Sequence, residues 1–341
     1  MTEPATPLAG IDVVLADLDG VVYAGPHAIP FAVDSLNQAA ESIRVGYITN
    51  NASRTDASVA GHLTDLGLTV APSDVVTLPQ AAMRLLVEQV PAGSRILVVG
   101  GDGLVDELQK HGFEVTRSAE DSPAAVVQGF APDVGWTQLA EACFALNAGV
   151  TPDGDYTGIP WIATNTDWTI PQARGTAPGN GTLVSAVHTA VGRLPVVAGK
   201  PEPAMFRLAV QRFAASSAVV IGDRLDTDIL GANRSGLPSV LVLTGIDGPK
   251  QVLAAEKDQR PTYIVDDLRQ LSEPYPQTVT TVEGSATLTR VGEAVVRRDG
   301  ENLTVDAAGG RRIDLLRAGC AAIWSSGVAI YGLRVAPELY S

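Results

Sequence analysis

Two cysteines, Cys143 and Cys320, are all that the 341 residues of this chain contain. They lie far apart and lack metal-ligand spacing. That excludes a disulfide framework and a zinc-thiolate site, and it fits a reduced, cytoplasmic setting. Long apolar runs are also missing. No stretch of about eighteen uninterrupted apolar residues occurs, so no membrane insertion is expected. The first residues carry no basic cluster of the kind that opens a secretory signal. Basic residues are scarce: 24 Lys and Arg stand against 38 Asp and Glu, for a formal charge of −14. Such a chain repels nucleic acid and anionic membranes at long range. Aromatic residues make up 5% and are not interleaved with basic ones, which leaves no stacking platform for bases. An anionic ligand here needs a local cation.

What the chain has instead is a long alternation of short apolar runs and amphipathic stretches. Residues 11–16, 43–48, 96–99, 124–128, 160–163, 196–198, 218–221, 239–243 and 263–265 read as buried strands. Between them, 57–66, 136–148, 183–191 and 204–214 carry helical periodicity. Alternation of this kind predicts an α/β fold, a Rossmann-like doubly wound parallel sheet covered by helices. The pattern changes at Pro274-Tyr275-Pro276. Beyond it, 286–291, 293–297, 303–305 and 328–335 read as strands and 313–324 as a helix, which predicts a small α+β module.

Four polar clusters follow four of the strands. Asp17-Leu18-Asp19-Gly20 comes directly after the first. Thr49-Asn50-Asn51 ends the second, Gly199-Lys200-Pro201 follows a third, and Gly222-Asp223-Arg224-Leu225-Asp226-Thr227-Asp228 follows a fourth. The carboxyl ends of parallel strands are where such sheets bind ligands. Each cluster also has a plainer reading. The aspartates of the first can hydrogen-bond their own backbone in a turn, Asn51 can cap a helix, and Lys200 can be a solvated loop residue. Acids opening a helix are favoured by its dipole. Taken together, acids grouped with few basic residues ask for a hard cation, and carboxylate oxygens suit magnesium.

The four clusters, read as DLDGVVY, ITNN, GKP and IGDRLDTDI, resemble the motifs of the haloacid dehalogenase superfamily, over residues 8–271 or so. The resemblance implies that Asp17 is a nucleophile forming an aspartyl phosphate and that Asp19 is the general acid and base. It implies Mg2+ held by Asp17, the Asp19 carbonyl and Asp223, with Asp228 behind them orienting waters or Lys200. Thr49, Asn50, Asn51 and Lys200 hold the phosphoryl oxygens in this scheme. Asp19 argues for a phosphate monoester rather than a carbon–halogen bond, because only the ester has a leaving oxygen to protonate.

Thr49 follows Asp19 too closely to admit a domain between them, whereas the interval from Thr49 to Lys200 holds a complete one. This layout resembles the 4-nitrophenylphosphatase (NagD-like) group, with a large α/β cap in that interval. The expected domains are therefore 1–80 with 196–272 as hydrolase core and 81–195 as inserted cap. Residues 277–341 form the C-terminal module, weakly similar to an acetyltransferase-like fold but without its glycine-rich pyrophosphate loop. Relatives of this group often form homodimers through the cap.

Asn165 and Asp167 are expected to select the substrate, although a structured polar turn accounts for them equally well. Pyridoxal-phosphate-cleaving relatives carry a histidine just after the matching aspartate; here Trp168, Thr169 and Ile170 stand in its place. That departure favours a small polyol-like ester, with glycerol 3-phosphate first and 2-phosphoglycolate second. Other sugar and nucleotide monoesters, a phosphotransferase, a phospho-aspartate receiver and an inactive binding protein are the alternatives. The C-terminal module is expected to serve packing or assembly and to leave the chemistry untouched.

Overall fold

The structure is a computed structural model that describes residues 5–50, 55–148, 158–172 and 174–340. The chain divides into two compact units. One comprises Met1–Tyr47, Asp65–Thr69 and Phe213–Ser341; the other comprises Ile48–Thr64 and Val70–Arg212.

The first unit is built on parallel strands in the order Tyr263–Val265, Ser239–Val242, Ala218–Gly222, Val13–Ala16, Arg44–Ile48. Val13–Ala16 lies between two neighbours, pairing Ala16 with Ile221 on one side and Tyr47 on the other. All four of its residues are buried, which is why it reads as an unbroken apolar run and not an alternating one. The Asp17 N–H continues the ladder to Ile221 O at 2.8 Å, so the first motif begins where the strand's hydrogen bonding ends.

The second unit has its own parallel sheet, in the order Val196–Val197, Trp161–Ala163, Ala125–Gln128, Arg95–Val99, Glu114–Thr116. Helices Trp136–Asn147 and Asn180–Val191 cover one side through Ala142, Leu146, Val184 and Val187. A short antiparallel hairpin, Thr169–Gln172 with Gly175–Pro178, extends from it.

The C-terminal segment is an antiparallel meander of Thr278–Glu283, Ala286–Val291, Ala294–Asp299 and Asn302–Ala307, with Arg334–Val335 added in parallel. Two-residue turns at Gly284-Ser285, Gly292-Glu293 and Gly300-Glu301 close its hairpins. Two details depart from the sequence pattern. Thr278–Glu283 is a strand that the sequence did not reveal, because it is an edge strand exposed along its whole length. The strand expected at 328–335 shrinks to Arg334–Val335, since Gly332 N and Leu333 N bond back to Ala329 O and Ile330 O in a tight turn.

Helix Arg312–Ser326 packs across this meander. Its Ile313, Leu316, Cys320 and Ile323 share one buried core with Val291, Val296 and Leu303 of the meander, and with Leu225, Ile229, Leu241, Val252 and Leu253 of the parallel-sheet portion. Arg317, from the same helix, is buried and fully engaged. Its guanidinium donates to Ile264 O at 2.6 and 3.0 Å, to Gln270 Oε1 at 3.1 Å and to Asp314 Oδ1 at 2.8 Å, and it stacks 4.3 Å from the Tyr275 ring centroid. Removing one partner of such a buried pair costs about 3–5 kcal/mol.

Candidate active site

In the first unit the chain turns sharply after Asp17. Leu18 O accepts from the N–H groups of Val21, Val22 and Tyr23 at 3.3, 2.8 and 3.2 Å, which coils the segment and leaves Asp19 exposed beside the buried Asp17. Gly20 sits at φ +82°, and a side chain there would collide with the Asp223 carboxylate. Its carbonyl is fixed by Thr244 Oγ1 at 2.7 Å.

Asp223 caps the end of strand Ala218–Gly222. A π-helical turn, Leu225–Ile229, then swings Asp228 back toward the strand. The wide turn is held by Arg224 O, which accepts from both Asp228 N and Ile229 N at 3.1 Å. Such turns are rare and recur at functional sites. Asp17, Asp223 and Asp228, at 8%, 2% and 1% exposure, each present a carboxylate oxygen within 4.8 Å of the others. At an effective dielectric near 20, each pair of charges so placed repels by about 3–4 kcal/mol. A divalent cation removes that cost, and an all-oxygen carboxylate set fits magnesium or calcium. Asp228, expected behind the metal, joins the cluster itself. Asp226 does not: it forms a solvated ion pair with Arg224 at 2.8 Å.

One contributor gives no motif in the sequence. The loop after strand Ser239–Val242 wraps Asp223, whose Oδ2 accepts from Ile246 N at 2.8 Å. Asp247 N donates to Asp223 O at 3.1 Å, and Asp247 Oδ2 accepts from Leu225 N at 2.7 Å. Burial pushes the Asp247 carboxyl above its ordinary value; the Leu225 N–H and Arg224 oppose this, while the charges of Asp226 and Asp228 add to it. The available signal was position alone, since Thr244-Gly245 also follows the carboxyl end of a buried strand.

The second unit carries the other expected residues. Thr49 is buried, and its N–H donates to Val76 O at 3.2 Å. Asn50 clasps the main chain of Lys200 at two points: Nδ2 donates to Lys200 O at 3.1 Å and Oδ1 accepts from Lys200 N at 3.0 Å. Lys200 itself is 4% exposed. Asn165 Nδ2 bridges Asn50 O at 3.2 Å and Asp167 Oδ2 at 3.0 Å, and Asn180 Nδ2 holds Asn165 O at 2.8 Å. Thus Asn50, Lys200, Asn165 and Asp167 form one connected network, in which Asn50 and Asn165 brace their neighbours. Asn51 lies outside the described residues.

Comparison with known proteins places the chain in a family. A haloacid dehalogenase-like hydrolase model matches residues 14–114 and a HAD-hydrolase-like model residues 197–271. A model of a GCN5-related N-acetyltransferase like domain matches residues 295–338. The chain belongs to the haloacid dehalogenase-like hydrolases. It is 47% identical over 262 residues to the D-glycerol 3-phosphate phosphatase of Mycobacterium tuberculosis, covering 77% of this chain and 71% of that one. Human chronophin is 33% identical over 279 residues, covering 76% and 92%. Among solved structures, a glycerol phosphate phosphatase from M. tuberculosis in complex with magnesium superposes with TM-score 0.81 at 38% identity, over 98% of this chain and 95% of that one. NagD from E. coli K-12 gives 0.66 at 29%, over 76% and 97%.

Proposed function

We propose that this hydrolase cleaves small phosphate monoesters with magnesium, through an aspartyl phosphate on Asp17, and that glycerol 3-phosphate is its first substrate. The buried convergence of Asp17, Asp223 and Asp228 carries the reading, because three carboxylates so placed call for a cation.

In this scheme an Asp17 oxygen attacks phosphorus, and the bond from phosphorus to the ester oxygen breaks. Asp19, exposed two residues on, gives its proton to the departing alkoxide. It then takes a proton from water as the water oxygen attacks the acyl phosphate, which frees the Asp17 carboxylate and releases phosphate. Asp17, Asp223, Asp228 and the Asp19 carbonyl hold magnesium, which when bound offsets the repulsion between carboxylate and phosphate. Lys200 supplies the cation that an otherwise acidic chain needs for its anionic substrate, and Asn50 fixes the backbone it stands on. Thr49 and the following amides complete the phosphate set.

The same proposal takes residues 1–80 and 196–272 as the hydrolase core, 81–195 as the cap and 277–341 as an acetyltransferase-like module. It places the enzyme in the cytoplasm, in keeping with Cys143 and Cys320 both being free thiols. No helix among the described residues is long and apolar enough to cross a membrane.

Asp167, braced by Asn165, is the group proposed to face the leaving alcohol. A carboxylate there favours neutral hydroxyls over a second carboxylate, which ranks glycerol 3-phosphate above 2-phosphoglycolate. The relatives named above include a phosphatase of that ester. Comparing kcat/KM for glycerol 3-phosphate, 2-phosphoglycolate, pyridoxal phosphate and a nucleoside monophosphate tests the ranking. A tenfold advantage of either of the last two, about 1.4 kcal/mol of transition-state preference, overturns it.

A further inference from the structure

We infer that the C-terminal module is a positioning element for the metal-binding loops, and that it acts through the contact of Gly319 with Leu253. The inference rests on the reading of Asp17, Asp223 and Asp228 as magnesium ligands.

Gly319 lies in the middle of helix Arg312–Ser326. A Cβ at this position would stand 3.2 Å from Leu253 Cδ2 and 3.0 Å from Leu339 Cδ2. Leu253 and Leu339 therefore both pack close on the backbone of the C-terminal helix at Gly319, and a side chain there would require them to shift by a few tenths of an ångström. Leu253 is the last residue of the short helix Pro249–Leu253, which begins two residues after Asp247. Asp247 and Ile246 are the residues that tie Asp223 and Leu225 together, at 3.1, 2.8 and 2.7 Å. Any displacement of Pro249–Leu253 is thus passed to the loop that holds Asp223.

Two further observations converge on the same helix. Leu225 and Ile229, at the two ends of the π-helical turn that carries Asp228, are buried in one core with Val252, Leu253, Ile313 and Leu316. Arg260 pins the segment after Leu253 to the C-terminal helix. Its Nε donates to Ala255 O at 3.2 Å, its Nη1 donates to Trp324 O at 3.3 Å, and its guanidinium lies 5.4 Å from the Trp324 ring centroid. The turn that bears Asp228 is therefore packed in the core of the C-terminal module, and Asp223 is held by a loop that leads into a helix packed on that module. Magnesium demands near-ideal octahedral geometry, so a few tenths of an ångström in one carboxylate weaken its binding. The module was expected to be dispensable for chemistry; its packing assigns it to the metal site.

The test uses the full-length chain carrying Gly319→Val, Leu253→Ala or both, with magnesium affinity measured by calorimetry in the absence of ester. Gly319→Val presses on Leu253 and Leu339 and is expected to weaken magnesium binding roughly fivefold, ~1 kcal/mol. KM for 4-nitrophenyl phosphate at saturating magnesium should stay within about twofold of wild type, because the substitution is proposed to act on the metal ligands alone. Adding Leu253→Ala relieves the Leu253 side of the contact, leaving that with Leu339, and is expected to restore part of the affinity. A merely structural contact would lower Tm and leave the magnesium affinity of the folded protein unchanged. A Gly319→Val protein with native circular dichroism and wild-type affinity overturns the inference. Should that variant not fold, Leu253→Ala alone decides: weakened binding supports the inference and unchanged binding overturns it. If the wild-type chain binds no magnesium, the metal reading fails first and the inference falls with it.

Discussion

Asp247 accepts a 2.7 Å hydrogen bond from the main-chain N–H of Leu225, and so joins the loop around Asp223 to the turn that carries Asp228. The bond needs an acceptor at Asp247 but not a negative charge. Asp247→Ala should lose about 1.5–3 kcal/mol of stability, the range for a hydrogen bond to a charged group, and should raise the magnesium concentration for half-maximal activity. Asp247→Asn keeps an acceptor oxygen and should recover most of both. Thermal melts and magnesium titrations of the two variants check this. Equal losses in both would show that the charge acts directly on the metal.

Metal removal should silence the enzyme. EDTA is expected to abolish turnover of 4-nitrophenyl phosphate and added magnesium to restore it. Calcium should restore it poorly, because its larger and more variable coordination shell misplaces the nucleophile. Full turnover in EDTA would contradict the reading of Asp17, Asp223 and Asp228 as a metal site.

A pH-dependent contribution to stability is expected far from the site. The Asp12 carboxylate accepts from Ser217 N at 2.9 Å and Ser216 N at 2.8 Å, and these bonds hold its carboxyl below the ordinary value. A depressed folded value means that the contribution is present above the unfolded value, about 3.9, and is lost as pH falls through the folded one. Asp12→Ala should therefore lower Tm at neutral pH, with the difference shrinking as the medium is acidified below about pH 4. A Tm difference that is constant with pH would contradict this.

The sequence is most legible where a residue pattern is compatible with a single structural setting. Val13–Ala16 is a central strand buried on both faces, so its apolar run has no solvent-facing alternative, and Asp17 at its end stands out. Asp223 is visible for the same reason. The supporting residues are hidden because their work is done by the main chain or by ordinary side chains. Ile246 serves through its N–H, which any residue but proline supplies, and Asp247 resembles a turn aspartate. The local pattern presents Asn50 and Asn165 as ligand-facing amides and does not show that they also brace Lys200 and Asp167 in a network that spans long sequence separations. The polar strand Thr278–Glu283 escapes notice because an exposed edge shows no hydrophobic period. The shared core of the C-terminal helix with Leu225 and Leu253 is equally invisible before the chain folds.

The central claim is that Asp17 carries the phosphoryl group, and the most direct measurement is a trapping experiment in Asp19→Asn. With 4-nitrophenyl phosphate the leaving phenolate needs no proton, so the first step should proceed. The second step lacks its base and should slow by about 10²–10⁴-fold. The expected result is a burst of one equivalent of nitrophenolate per enzyme, with acid-quenched peptide mass spectrometry placing one phosphoryl group on Asp17. A burst with Asp17 unmodified, or an Asp17→Asn variant that retains wild-type turnover, would contradict the account.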